Sequence, residues 1–154
     1  MLSQTAEYAL RTVLYIAERP DNHPARVDEI ADALALPRNY LSKTLHRLAQ
    51  GGVLSSTRGV GGGFRLRVPA DQLPLLTVVK LFDPVSEGRA CLLGRPVCSD
   101  AHPCEAHAKW KGVATQLDRF FCETMVADLL EQPASGRPRA ARAGAGAGAA
   151  ARRS

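Results

Sequence analysis

Three cysteines and a histidine fall in one short stretch, CLLGRPVCSDAHPCEAH, spaced Cys91-x6-Cys98-x5-Cys104-x2-His107. Thiolates hold zinc or iron–sulfur clusters, and an imidazole can complete either kind of set. The gaps are wide and only one is short, whereas zinc motifs are usually built from two close pairs. By spacing, a structural zinc and an iron–sulfur cluster fit equally, and a metal-free thiol switch comes after both. Asp100, His102 and Glu105 add donors in the same loop. The fourth cysteine, Cys122, follows Phe121 in a helical pattern and reads as a small buried hydrophobe.

A thiol cluster carries this meaning where thiols stay reduced. No stretch of the chain is apolar enough to span a bilayer. The start, MLSQTAEYALRTVLYIAERP, lacks the basic beginning and small-residue cleavage site of a secretory signal. The expectation is a cytoplasmic chain with no membrane partner.

The second group of chemistry-bearing residues is cationic. The formal net charge is +5, but the excess lies in residues 133–154, PASGRPRAARAGAGAGAAARRS, with five arginines and no acid. Residues 1–132 balance at fifteen basic and fifteen acidic side chains. Within that neutral body, residues 37–67 carry Arg38, Lys43, Arg47, Arg58, Arg65 and Arg67 with no Asp or Glu. A cationic, acid-free segment in a neutral body points to a polyanion. The competing reading is an ordinary solvated charged face.

These residues need elements to position them. Ser3 is a candidate N-cap for a helix over 3–18, with Ala6, Leu10, Val13, Leu14 and Ala17 at helical spacing. RPDNHP breaks the chain. A short helix over 27–35 follows, with Val27, Ile30, Ala31 and Leu34 on one face. Pro37 suits the first turn of a third helix reaching Gln50, where Leu41, Leu45 and Leu48 form the buried stripe and Gly51-Gly52 ends it. Val53–Thr57 and the alternating Phe64, Leu66 and Val68 predict a hairpin with a glycine-rich tip. Three helices followed by a hairpin is the order of a winged helix-turn-helix. Leu73–Phe82 then reads as a helix before the cysteine loop. A long helix from about Ala108 to Gln132 carries Trp110, Val113, Leu117, Phe120, Phe121, Thr124, Val126 and Leu130. That apolar side is broad enough to pack on a partner chain as well as on its own domain.

The fold class expected is therefore mainly α with a small β-hairpin wing. Residues 1–70 form the DNA-binding domain, and residues 71–132 the linker helix, cysteine loop and dimerisation helix. The low-complexity tail, 133–154, is read as disordered. The candidate DNA-binding residues are Arg38, Asn39, Tyr40, Ser42, Lys43, His46 and Arg47 on the third helix, with Arg58, Gly59 and Gly61 at the wing. Asn, Lys and Arg at helical spacing can reach base edges in a major groove. Arginines on the wing suit phosphates or a minor groove. RGVGGGFRL does not match a dinucleotide-binding or P-loop spacing and lies between strands, where those motifs open a helix. No H-E-x-x-H, C-x-x-C or Ser/His/Asp grouping marks an enzyme.

Residues 1–132 resemble the bacterial Rrf-two family of transcriptional regulators. The resemblance rests on LSQTAEYALRTVLYIA, on VDEIADALALPRNYLSKTLHRLAQGGVLSSTRGVGGGFRL, whose RGVGGGFRL is the most specific part, and on the three-cysteine loop before a long helix. It implies a homodimer on a palindromic double-stranded operator, with the third helix in the major groove, Arg58 in the minor groove and the long helices crossing at the dimer. It also implies a 2Fe-2S or 4Fe-4S cluster on Cys91, Cys98 and Cys104. The fourth ligand would be His107, as in IscR-like members, or Glu7 from the partner, as in NsrR-like members. The first gap here is six residues, where the best-known cluster proteins have five. The expected function is a repressor whose cluster senses redox state, nitric oxide or iron. The alternative is the same regulator with a zinc or metal-free thiol switch.

Overall fold

The computed structural model describes residues 2–83, 91–93 and 99–130. Cys98, the expected end of the last helix at Gln132, and the tail at 133–154 lie outside the described residues.

Helix α1, Gln4–Ala17, starts where Ser3 turns extended and its Oγ accepts from the Ala6 N–H at 3.2 Å. Its Ala6, Ala9, Val13 and Ile16 are fully buried, one face at helical spacing. A short 3₁₀ turn, Pro20–Asn22, follows. Helix α2, Val27–Leu34, opens with the Arg26 N–H donating to Glu29 Oε2 at 3.2 Å. It ends at Ala35, which takes a left-handed conformation (φ 52°), and the Leu36 N–H donates back to Ala31 O. A residue with a Cβ pays about 1–2 kcal/mol for that backbone, and it makes the tight turn into the next helix. Helix α3, Arg38–Gln50, begins one residue after Pro37, whose carbonyl accepts its first hydrogen bond. Leu41, Thr44, Leu45 and Leu48 are buried against α1 and α2.

Strands β1, Leu54–Thr57, and β2, Gly63–Leu66, pair antiparallel with Leu54 opposite Leu66 and Thr57 opposite Gly63. Leu66 is buried while Arg65 and Arg67 are exposed, the apolar-in, cationic-out alternation expected from the sequence. Two further contacts fasten the hairpin. Ala25 and Phe64 exchange both backbone hydrogen bonds at 2.8 Å, adding a one-residue third strand. Gly63 permits this approach, since a Cβ there would lie 2.6 Å from the Ala25 carbonyl oxygen. The Asn22 side-chain amide donates to Leu66 O and accepts from the Leu66 N–H, filling the place of another strand residue.

Helix α4, Leu75–Val79, is shorter than the expected 73–82. Helix α5 spans His107–Glu123, so the long helix ends well before Gln132. Helical periodicity continues through Val126, but the chain after Glu123 is claimed by a neighbour. Thr124 turns extended and its carbonyl accepts from the Leu75 N–H at 2.9 Å, while the Val126 N–H donates to Leu73 O at 2.8 Å. The first N–H groups of α4 have no partners within their own helix, and this pairing satisfies one of them. It also buries Phe121 and Val126 in the common core.

Candidate DNA-binding face and cysteine loop

The leucine stripe of α3 faces inward, so the opposite side of the helix is turned to solvent. Arg38, Asn39, Ser42, Lys43, His46 and Arg47 are all exposed. Asn39, Lys43 and His46 stand one turn apart along one line. Ser42 Oγ donates to the Arg38 carbonyl at 2.9 Å, and Arg38 Nε pairs with Asp28 Oδ1 of α2 at 2.9 Å. Two residues grouped with this face have inward contacts. Tyr40 is half-buried with its ring edge-on to Tyr8 of α1, at 5.7 Å between centroids. Arg47 lays its guanidinium 5.2 Å from the centre of the Phe82 ring.

At the wing tip, the Gly62 N–H donates to Gly59 O at 3.0 Å, closing the turn. Gly59 (φ 92°) and Gly61 (φ 74°) both need left-handed backbone, and between them Val60 is fully exposed. Arg58 is exposed beside them, and Arg65 donates across the hairpin to Thr57 Oγ1 at 3.2 Å. The acid-free segment of the sequence thus becomes one helix face and one hairpin, both anchored on α1.

In the cysteine loop, Cys91 and Cys104 are half-buried. The His107 N–H donates to Cys104 O at 2.9 Å, setting both residues in one turn at the start of α5. His107 is 6% exposed and its Nε2 lies 2.7 Å from Asp100 Oδ1. Lys111 Nζ meets both oxygens of Asp100, at 2.9 and 3.0 Å. The hydrogen bonds from His107 and then Lys111 hold the Asp100 carboxyl down to about 2, from an ordinary value of 3.8. Among the described residues no three or more His, Cys, Asp or Glu side chains are gathered as a metal would need. The donor types are nevertheless those a cluster takes: the two half-buried cysteines Cys91 and Cys104, and the buried imidazole of His107 at the start of α5. Glu7 is exposed on α1. His102 and Glu105 are exposed in the loop. Cys122, expected to be buried, is exposed on α5.

The sequence reading missed Asn22, Ala25 and Phe82, which hold the wing and α3, and the pairing of Lys111 with Asp100. Only Asn22 carried a signal, as a turn residue tolerant of left-handed backbone.

The family model described as "Iron-dependent Transcriptional regulator", Rrf2, matches residues 2–132. The chain belongs to the Rrf2 family. It is a transcriptional regulator with the winged-helix fold of that family. A chain of Aquifex aeolicus assigned to the HTH-type transcriptional regulators is 34% identical over 132 residues, covering 84% of this chain and 91% of that one. The regulator IscR of Vibrio atlanticus is 25% identical over 130 residues, covering 84% and 75%. Among solved structures, CymR of B. subtilis, the global cysteine regulator, superposes with a TM-score of 0.70 at 20% identity, covering 84% of this chain and 95% of that one. IscR of T. potens gives a TM-score of 0.68 at 17% identity, covering 84% and 85%. Among the described residues no helix is long and apolar enough to cross a membrane.

Proposed function

We propose that this Rrf2 regulator is a homodimeric repressor whose hold on a palindromic operator is set by an iron–sulfur cluster in the cysteine loop. One observation carries the reading. The acid-free helix face and wing are exposed on one core, and a loop of thiols and imidazole leads into the helix that bears an uncovered apolar stripe. Helix α3 lies in the major groove, where Asn39 can pair with an adenine edge and Lys43 and His46 reach guanine edges or phosphates. Ser42 contacts bases or phosphates, and Arg38 contacts phosphate from the start of the helix. Arg58, between the β1 end and the flexible Gly59 and Gly61, enters the minor groove. Tyr40 and Arg47 act by seating α3.

Val113, Leu117 and Phe120 of α5 are 54%, 42% and 50% exposed and share one stripe. A second copy covering that stripe gives a two-fold axis, which matches the symmetry of a palindromic site. Cys91, Cys98, Cys104 and His107 would hold the cluster, with Glu7 supplied across the dimer as the alternative fourth ligand. When bound, the cluster supplies iron chemistry reactive toward nitric oxide and oxygen species. The iron-dependent description of the family and the IscR relatives support iron here. Strong switching of occupancy needs a difference of about a few kcal/mol in operator affinity between the two forms.

The test is anisotropy titration on the DNA upstream of the chain's own gene, at several salt concentrations, with protein purified without oxygen. Loaded and metal-free protein should differ in affinity, and both should lose affinity with salt. Anaerobic protein that is colourless and free of iron and sulfide sinks the cluster reading. A metal-free thiol switch is then the remaining reading. It is favoured by the gathering of cysteines in the loop and by the structural likeness to the oxidised form of Staphylococcus aureus CymR.

A further inference from the structure

We propose that Val60 reads the floor of the minor groove, so that the wing selects A·T over G·C pairs where it enters. The inference rests on the reading that puts Arg58 in that groove, and it adds sequence preference to a contact that otherwise fixes only register. The wing tip is a closed turn. The Gly62 N–H donates to Gly59 O at 3.0 Å across Val60 and Gly61. Gly61, at φ 74°, supplies the left-handed third position that such a turn calls for. A Cβ on Gly62 would run into the Thr57 carbonyl oxygen, so the turn lies folded down on the end of β1. Val60 stands at its apex and is 106% exposed, so its own core covers no part of it. Arg58 beside it is exposed, and residues 37–67 hold no acid, so the surface that meets this tip is anionic. A β-branched side chain has few rotamers to lose on docking. Both kinds of base pair carry acceptors in the minor groove, but only G·C adds a protruding amino donor. A valine pressed against that amino group displaces its water and returns no acceptor. The competing account is that Val60 is a bystander, and that Arg58 alone favours A·T through the narrow groove those pairs form.

The probe is a duplex that the full chain selects from randomised DNA, with the minor groove under the wing located by hydroxyl-radical footprinting. The pairs there are made A·T, G·C or inosine·cytosine, which lacks the amino group. Wild type should bind the A·T and inosine duplexes alike and the G·C duplex about tenfold less tightly. Val60→Ser, whose hydroxyl can accept from the amino group, should bind all three alike and keep the wild-type salt slope. Arg58→Ala should lower that slope by about 1 and keep the A·T preference. Thermal unfolding of Val60→Ser should match wild type, since the side chain packs on nothing. A wild type indifferent to the amino group overturns the proposal. So does a Val60→Ser chain that keeps the full A·T preference, or an Arg58→Ala chain that loses it. An unchanged slope in Arg58→Ala overturns the minor-groove reading of Arg58, while the inosine comparison still decides whether Val60 reads the groove. If the chain selects no duplex, both fall.

Discussion

The guanidinium of Arg47 stacks on the ring of Phe82, 5.2 Å from its centre, and so ties the last turn of α3 to the segment leaving α4. Leu81, one residue earlier, packs where a Cβ on Gly51 would sit. The end of α3 thus rests on the stretch that leads into the cysteine loop. Removing either partner should cost stability, and a double-mutant cycle of Arg47→Ala and Phe82→Ala should return a coupling of about 0.5–1 kcal/mol by denaturant unfolding. A coupling of zero would mean the stacking contributes nothing in solution.

The two kinds of DNA contact proposed for α3 should separate by salt. With Lys43 on a phosphate, Lys43→Ala should weaken binding to all sequences alike and lower the salt slope by about 1. Asn39→Ala should cost about 1–3 kcal/mol at one base pair and leave the slope unchanged. Titrations on an operator and on a scrambled duplex read both effects.

Two glycines respond oppositely to the same substitution. At Gly63 an added methyl meets the Ala25 carbonyl, and backbone has little room to give. Gly63→Ala should destabilise by about 1–3 kcal/mol and loosen the wing. Gly112 lies within α5 with open space around its Cα, so Gly112→Ala should stabilise by about 0.5–1 kcal/mol. Thermal unfolding of both variants measures the contrast.

Acid should weaken the contacts of Asp100 with His107 and Lys111. Asp100 has its carboxyl pKa lowered to about 2 by His107 and Lys111. A depressed carboxyl contributes stability above its unfolded value and loses it as pH falls toward its folded one. In the metal-free chain the contribution is therefore complete at neutral pH and fades between about pH 4 and pH 2. The carboxyl carbon shift of Asp100 should titrate in that window, and Lys111→Ala should move it upward.

The α5 stripe should govern assembly. Leu117→Glu places a charge amid Val113 and Phe120, and sedimentation equilibrium should show a dimer turned to monomer. An unchanged dimer would show that a different surface pairs the copies.

Much of the fold was legible because it is written in local periods. The burial of Leu41, Leu45 and Leu48 follows from spacing alone, and so does the solvent face of Asn39, Lys43 and His46, since a helix with one apolar stripe has only one way to bury it. The alternation Phe64-Arg65-Leu66-Arg67 identified the wing for the same reason. Ser3 capped α1 as its type and position imply. The misreading of α5 was of another kind. Its periodicity runs on through Val126, but Thr124 and Val126 pair with residues 73–75, about fifty positions earlier in the chain. No local pattern reports a backbone partner at that distance.

What the sequence by itself determined is the set of elements, the sides they present and the thiol-rich loop between them, because neighbouring residues within a turn or a strand decide these. Tertiary structure alone decided which of those residues act in pairs. Asn22 with Leu66, Ala25 with Phe64, Arg47 with Phe82 and His107 with Asp100 meet across turns and loops whose backbone paths only packing sets. Each contact satisfies a polar group or covers a ring, and these contacts form only once the core has closed.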